Sequence, residues 1–221
     1  MILAYETSTN ICSVAFQNIS GEVMEKKIQG RSVHSDNLFL FTKELMDEQD
    51  FKIAELNAVL VSNGPGSYTG LRIAASALKG ILFGTDVKLY AVNTLASFAM
   101  NTEAEKGDIV HSIIDARRTH LYMQSFEFGD PMNSISETRL AEISDFEEQV
   151  NAGDHIIGTG INRLEQSVVE KVNTYNEESI TARSLLKLFE LQNFEEYCIK
   201  TSLEALNPNY ISSSQVNNSN A

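Results

Sequence analysis

One junction constrains this chain more than any other. The short apolar run Asn57 to Ser62 leads directly into Gly64-Pro65-Gly66-Ser67-Tyr68-Thr69-Gly70, and that loop opens a segment with Leu71, Ala74, Ala75, Leu78 and Leu82 on one helical face. A buried strand, a glycine-rich loop and an amphipathic helix in that order belong to an α/β fold, in which the helix packs back on the sheet that the strand enters. The loop itself has two readings. Gly64, Gly66, Ser67, Thr69 and Gly70 can present backbone N–H groups to an anion at a helix N-terminus, or they can form a tight packing turn. The Lys-Ser/Thr pair of a Walker A loop is missing, and the spacing does not match a GxGxxG dinucleotide fingerprint. Ser67 lies in Gly66-Ser67-Tyr68-Thr69-Gly70, which is not the GxSxG of a nucleophile elbow.

The rest of the chain fits around that unit. Met1 to Thr7 is an apolar run, Cys12 to Gln17 alternates with period two, and Gly21 to Gln29 follows a short turn, so the chain opens as a β-meander. A helix starts near Ser35 or Asp36, either of which could cap it, and stops before Asp50. Lys88 to Val92 reads as a strand and Thr94 to Thr102 as a helix, which makes the first sheet mixed. The pattern restarts with strands at 109–114 and 120–126 around the turn Asp115-Ala116-Arg117-Arg118, a charged hairpin that could also position a ligand. A strand at His155 to Gly158 and helices near 164–172 and 181–189 follow, then a polar tail from Ser212. The division expected is 1–104 for a first lobe and 105–221 for a second.

Charge and residue usage narrow the function. Seventeen basic against thirty acidic residues give a net charge of −13, a field that repels phosphate backbones and disfavours autonomous nucleic-acid binding. Residues 127–154 hold eight of the acids against Arg139 alone, a face that is solvated or meets a basic partner. Cys12 and Cys198 make neither a disulfide framework nor a CxxC pair, which fits a reducing compartment. His34, His111, His120 and His155 form no HxxxH or HExxH pair and read as surface or capping residues, so no metal site is expected. No apolar run approaches the roughly 18 residues of a membrane span, and Met1 to Glu6 lacks the basic start of a secretory signal. A cytoplasmic protein is expected. The first helix carries Leu38, Phe41 and Leu45 on one stripe and Phe39 and Met46 off it; the extra apolar surface is either core or a docking face.

Taken together, Tyr5-Glu6-Thr7-Ser8-Thr9, Cys12-Ser13-Val14-Ala15, Arg31-Ser32-Val33-His34-Ser35, Gly64 to Arg72, Ile114 to Arg118 and Pro208-Asn209-Tyr210 resemble the TsaB family, also called YeaZ and known under the older label glycoprotease or M22 peptidase-like. The resemblance runs the length of the chain, and the GPGSYTGLR stretch with the DARR turn is its most specific part. It implies an actin-like, Hsp70-like fold with two lobes, each a mixed β-sheet flanked by helices. It also implies a non-catalytic subunit, a pseudo-enzyme, that pairs with a TsaD-like paralogue in threonylcarbamoylation of tRNA adenosine N6 beside the anticodon.

In that picture the metal and the ATP belong to the TsaD-like paralogue and a TsaE-like ATPase, and tRNA is met only indirectly. The chain alone could form a homodimer. The phosphate grip looks degraded, since actin-like phosphate hairpins carry Asp-x-Gly where this chain has Glu6-Thr7-Ser8 and Asp115-Ala116-Arg117. The interface is expected at Leu38, Phe39, Phe41, Leu45 and Met46 on one helix and Arg72, Ala75 and Lys79 on the next, with no catalytic residue and no cofactor held by this chain. The alternative is an actin-like ATPase or phosphotransferase using Gly64 to Gly70. Two departures from the family pattern are Glu6 in place of Asp and Ile211-Ser212 in place of Leu-Arg.

Overall fold

Alternating apolar residues produce the meander: β1 (Ile2–Glu6), β2 (Ile11–Gln17) and β3 (Val23–Gln29) pair antiparallel in sequence. The computed structural model describes residues 1–209; the expected polar tail, with Tyr210, Ile211 and Ser212, lies outside the described residues. The chain then forms α1 (His34–Gln49), β4 (Ala58–Ser62), α2 (Tyr68–Ile81), β5 (Lys88–Val92) and α3 (Thr94–Ala99). Strands β1, β4 and β5 run parallel, and all five residues of β4 are buried, as a central strand covered on both faces requires.

A second sheet follows from β6 (Ile109–Asp115), β7 (His120–Glu127), β8 (Asn133–Ser134), β9 (Arg139–Glu142), α4 (Ile143–Glu147), β10 (His155–Gly158), α5 (Gln166–Val169) and β11 (Asn173–Tyr175). Its order is β11-β10-β6-β7-β8, with β9 also on β7. Then come α6 (Arg183–Phe189) and β12 (Cys198–Thr201).

β12 returns to the first sheet, whose order is β12-β5-β4-β1-β2-β3. The sheet is mixed, as the sequence implies, but it is completed from beyond residue 105. Helix α6 does the same, packing against α3, β1 and β4. One apolar cluster joins Ala4, Ala15 and Leu60 of the first sheet to Val110, Ile114 and Phe126 of the second through Leu95, Phe98, Leu185 and Leu188. The opposite face of the first sheet, Leu3, Tyr5, Val14 and Phe16, is covered by Leu38, Phe41, Leu45, Ala74 and Leu78 of α1 and α2. A third cluster, with Ile113, Met123, Phe146 and Ile156, closes the outer face of the second sheet.

Several local expectations are corrected. Neither Ser35 nor Asp36 caps α1: Val33 stands at the N-cap without a side-chain bond, and Ser35 Oγ turns to Asp36. Asp50 ends the helix in a left-handed conformation (φ 48°), its N–H bonded to Met46 O. The helix expected over 94–102 stops at Ala99, started by Asn93, whose side chain accepts the N–H groups of Leu95 and Ala96. That expected over 164–172 shrinks to α5, because Leu164 and Val172 pack on the outer cluster from the flanking turns and Asn173 already joins a strand.

Candidate functional site

Two surface features collect the residues singled out above: a cleft between the sheets and a groove between α1 and α2. The cleft, about 720 Å³, is lined by Ser8, Asn10, Ser67, Thr69, Asp115 and Arg117 among others. It therefore brings together the β1–β2 turn, the glycine-rich loop and the β6–β7 hairpin.

The glycine-rich loop is packed against the β1–β2 turn. A Cβ on Gly66 would stand 2.6 Å from Ser8 O, and one on Gly70 would stand 2.0 Å from Thr7 O, so each glycine permits backbone to approach backbone. Three of the loop donors are engaged within the chain: Gly64 N–H bonds Thr94 Oγ1 (2.9 Å), Ser67 N–H bonds Ser8 O (2.6 Å), and Gly70 N–H bonds Ser67 Oγ (3.3 Å) at the start of α2. Asn209 closes the outer side, donating its N–H to Asn63 O (2.7 Å). Of the two readings of this loop, its geometry matches the packing turn. Ser67 serves as a helix cap, and Thr69 is exposed on the cleft wall.

Below the turn, Glu6 is wholly buried at the end of β1. Its Oε1 accepts from Ser8 N (2.6 Å), whereas Oε2 has no hydrogen-bond partner among the described residues. Burial pushes its carboxyl up to about 7, against the lowering effect of the Ser8 bonds. Across the cleft, Arg117 and Arg118 take left-handed conformations (φ 70° and 53°) in the four-residue connection, 116–119, between β6 and β7. Asp115 Oδ1 accepts from Arg117 N and Arg163 Nη1, both at 2.8 Å, and Arg163 also donates to Arg118 O. The Asp115 carboxylate thus shapes its own turn.

The remaining chemistry-bearing residues are structural. Three of the four histidines are buried, contrary to the surface or capping role expected, each because the fold offers its ring a polar partner. His34 Nε2 lies 3.1 Å from Ile11 O; His111 bridges Ser125 Oγ (2.7 Å) and Asp154 Oδ2 (3.1 Å); His155 Nδ1 lies 3.1 Å from Tyr175 Oη. His120 is partly exposed. Burial lowers the His111 pKa more than Asp154 raises it, so this geometric ion pair is better described as a neutral imidazole hydrogen-bonded to a carboxylate. Both cysteines are buried and free, and burial pushes each thiol up to about 12, away from thiolate chemistry. Among the described residues no group of three or more His, Cys, Asp or Glu is placed to hold a metal ion.

The groove between α1 and α2, about 550 Å³, is lined by Phe39, Tyr68, Arg72, Ile73 and Ala77 with flanking hydroxyls. Phe39 is 52% exposed and Tyr68 55%. The Arg72 guanidinium lies 5.0 Å over the Tyr68 ring and donates to its hydroxyl. Of the eight residues expected at an interface, Leu38, Phe41, Leu45 and Ala75 are instead core side chains under the first sheet, since their i, i+3, i+4 spacing is the stripe that faces inward. Phe39, Arg72 and Lys79 are exposed, and Met46 is half-buried against the core. Sequence reasoning passed over Leu40, Tyr68, Ile73 and Ala77. The Tyr68/Arg72 pair at i, i+4, with Ile73, off the Ala74/Leu78 stripe is the available signal.

Two mixed sheets sharing helices around a cleft make this a protein of the actin-like class. The model of the family described as TsaD, tRNA N6-adenosine threonylcarbamoyltransferase, matches residues 28–171. The chain belongs to this glycoprotease-like family, and within it to the TsaB, or YeaZ, group. It is 29% identical over 122 residues to the tRNA threonylcarbamoyladenosine biosynthesis protein TsaB of Haemophilus influenzae, covering 55% of this chain and 51% of that protein. With TsaB of Escherichia coli the figures are 28% over 127 residues, 57% and 54%. The chain thus spans about half the length of these curated relatives. The solved structure of YeaZ from Pseudomonas aeruginosa superposes with a TM-score of 0.76 at 25% identity, over 95% of this chain and 99% of that one. Among the described residues no helix is long and apolar enough to cross a membrane.

Proposed function

We propose that this chain is a non-catalytic subunit of tRNA threonylcarbamoyladenosine formation, which binds and activates a TsaD-type transferase through the α1/α2 groove. The observation that carries the reading is the exposed apolar and aromatic set Phe39, Leu40 and Tyr68 on two adjacent helices, in a chain of the TsaB group. An exposed patch of this kind seeks a partner, and helix faces are suited to helix-on-helix docking. Arg72 and Lys79 would rim the contact with charge. Catalysis, metal and ATP are assigned to the TsaD-like and TsaE-like partners, with tRNA held mainly by a more basic subunit. The same groove would support a homodimer when the paralogue is absent.

The test is co-purification with the TsaD-like paralogue of the same genome, joined to transfer assays on unmodified tRNA. Wild type should form a stable complex that is active only with both subunits. Phe39→Asp should lose the complex while its thermal midpoint stays near that of wild type. An intact complex with Phe39→Asp and Tyr68→Asp would remove the groove from the interface, and no complex with wild type would overturn the reading.

The alternative, an ATPase using Gly64 to Gly70, requires loop N–H groups that here bond Thr94, Ser8 and Ser67. Tight Mg²⁺-ATP binding lost in Gly66→Val would favour it.

A further inference from the structure

Glu177 reaches the cleft from a single 3-10 turn, Glu177–Ser179, that follows β11. Its Oε1 accepts the backbone N–H of Asn10 at 2.9 Å, and Oε2 lies 3.4 Å from Gln29 Nε2. Asn10 lies in the β1–β2 turn and Gln29 in β3, both of the first sheet's meander, and Glu177 follows the second sheet, so this carboxylate spans the gap between them. The turn that carries it is held in place: Lys27 Nζ donates to Glu178 O (2.5 Å), and Asn176 Oδ1 accepts the Glu178 N–H (3.0 Å).

The β1–β2 turn lines the cleft and carries a run of backbone N–H donors. Thr7 N–H bonds Ser62 Oγ, Ser8 N–H bonds Glu6, and Ile11 N–H bonds Thr9 Oγ1, all acceptors from the same sheet. The Asn10 N–H differs: its acceptor is a carboxylate that comes from across the cleft. A carboxylate there resembles an anionic ligand in charge and in acceptor geometry. Meanwhile the cleft keeps groups able to bind an anion, namely the Arg117 side chain, which enters no ion pair among the described residues, and the hydroxyls of Ser67 and Thr69.

We propose that Glu177 is a built-in anion, which occupies the Asn10 donor and bars phosphate-bearing small molecules from the cleft. The inference rests on cleft geometry and not on the groove or the transferase complex. Exclusion from the cleft would then rest on one side chain, beyond the packing of the glycine loop.

The experiment is calorimetric titration of the full chain with inorganic pyrophosphate and, separately, with ADP. Wild type, Glu177→Gln and Glu177→Ala are compared, with Glu127→Gln as a variant that removes one exposed surface acid outside the cleft lining. Removing a like charge from a site a few ångströms away should tighten binding by about tenfold or more. Gains are expected in both Glu177 variants, absent in Glu127→Gln and cancelled when Arg117→Ala is added. Glu177→Gln retains an acceptor for the Asn10 N–H, so it carries the test if Glu177→Ala fails to fold by circular dichroism. Folded variants that bind no more tightly than wild type would overturn the proposal, as would an equal gain in Glu127→Gln. Co-purification with the paralogue, measured on the same variants, should be unchanged, so that failure here and failure of the proposed assembly are read separately.

Discussion

Replacing Glu6 with glutamine isolates the stability linked to a carboxyl that has no exposure and one unpartnered oxygen. In the folded state burial raises this group from 4.5 to about 7, while in the unfolded chain it titrates near its ordinary value. Between those two values the native state keeps a proton that the unfolded state has lost. Stability therefore falls as pH rises through the window, and it levels off above about pH 7. At about 1.4 kcal/mol per tenfold, the gap amounts to about 3 kcal/mol, good to its order of magnitude. Glutamine cannot ionise, yet its carbonyl can still accept from Ser8. The stability of Glu6→Gln relative to wild type should thus rise by about 2–3 kcal/mol between pH 5 and pH 8. Urea unfolding followed by far-ultraviolet circular dichroism suits a chain without tryptophan, and taking the difference between the two proteins cancels the other acids. A relative stability that stays constant over this range would show that Glu6 titrates in the folded state as it does in the unfolded chain, and the reasoning from burial would fail.

Other perturbations follow from the same structure. Gly70→Ala places a methyl 2.0 Å from Thr7 O and should destabilise by about 3 kcal/mol or more in chemical denaturation, whereas Gly80→Ala meets nothing within 4 Å and should be neutral or stabilising by up to about 1 kcal/mol. Equal effects would show that the loop is not closely packed. Leu45→Ala removes a fully buried side chain and should cost about 2–5 kcal/mol, against about 0.5 kcal/mol or less for Leu40→Ala on the surface, measured by the same unfolding curves. The His111 ring should titrate below 6.5 by proton NMR, because its burial outweighs Asp154. Its contribution is then complete above that value and lost as pH falls through the lowered folded pKa; a midpoint at or above 6.5 would refute the neutral assignment.

The strands of the first sheet were legible because β1, β2 and β4 carry their own signal, apolar alternation or a short buried run ended by glycine. β12 was not, since four residues with one buried side chain carry no periodicity, and their partner Leu89 to Val92 lies more than a hundred positions earlier. The glycine-rich loop is legible from its own residues, but its role depends on Thr7 and Ser8, which no local pattern brings near. The groove is only partly legible for a related reason. The stripe of Leu38, Phe41 and Leu45 is the strongest apolar signal on α1, and strength of periodicity marks the inward face. The exposed Phe39 and Leu40 interrupt that pattern. Glu177 gave no sequence signal, because a lone acid in a polar stretch becomes notable only when the fold sets it opposite Asn10.

The return of β12 to the edge of β5 has a temporal consequence. As the chain leaves the ribosome, α6 cannot cover β1 and β4 until Arg183 to Phe189 have been made, and the first sheet cannot be completed until Cys198 to Thr201 have followed. The amino-terminal half therefore waits, with one apolar face uncovered, for nearly the whole polypeptide. A fragment ending near residue 104 should be insoluble alone and rescued by co-expression with the remainder, two pieces that fold only by completing each other.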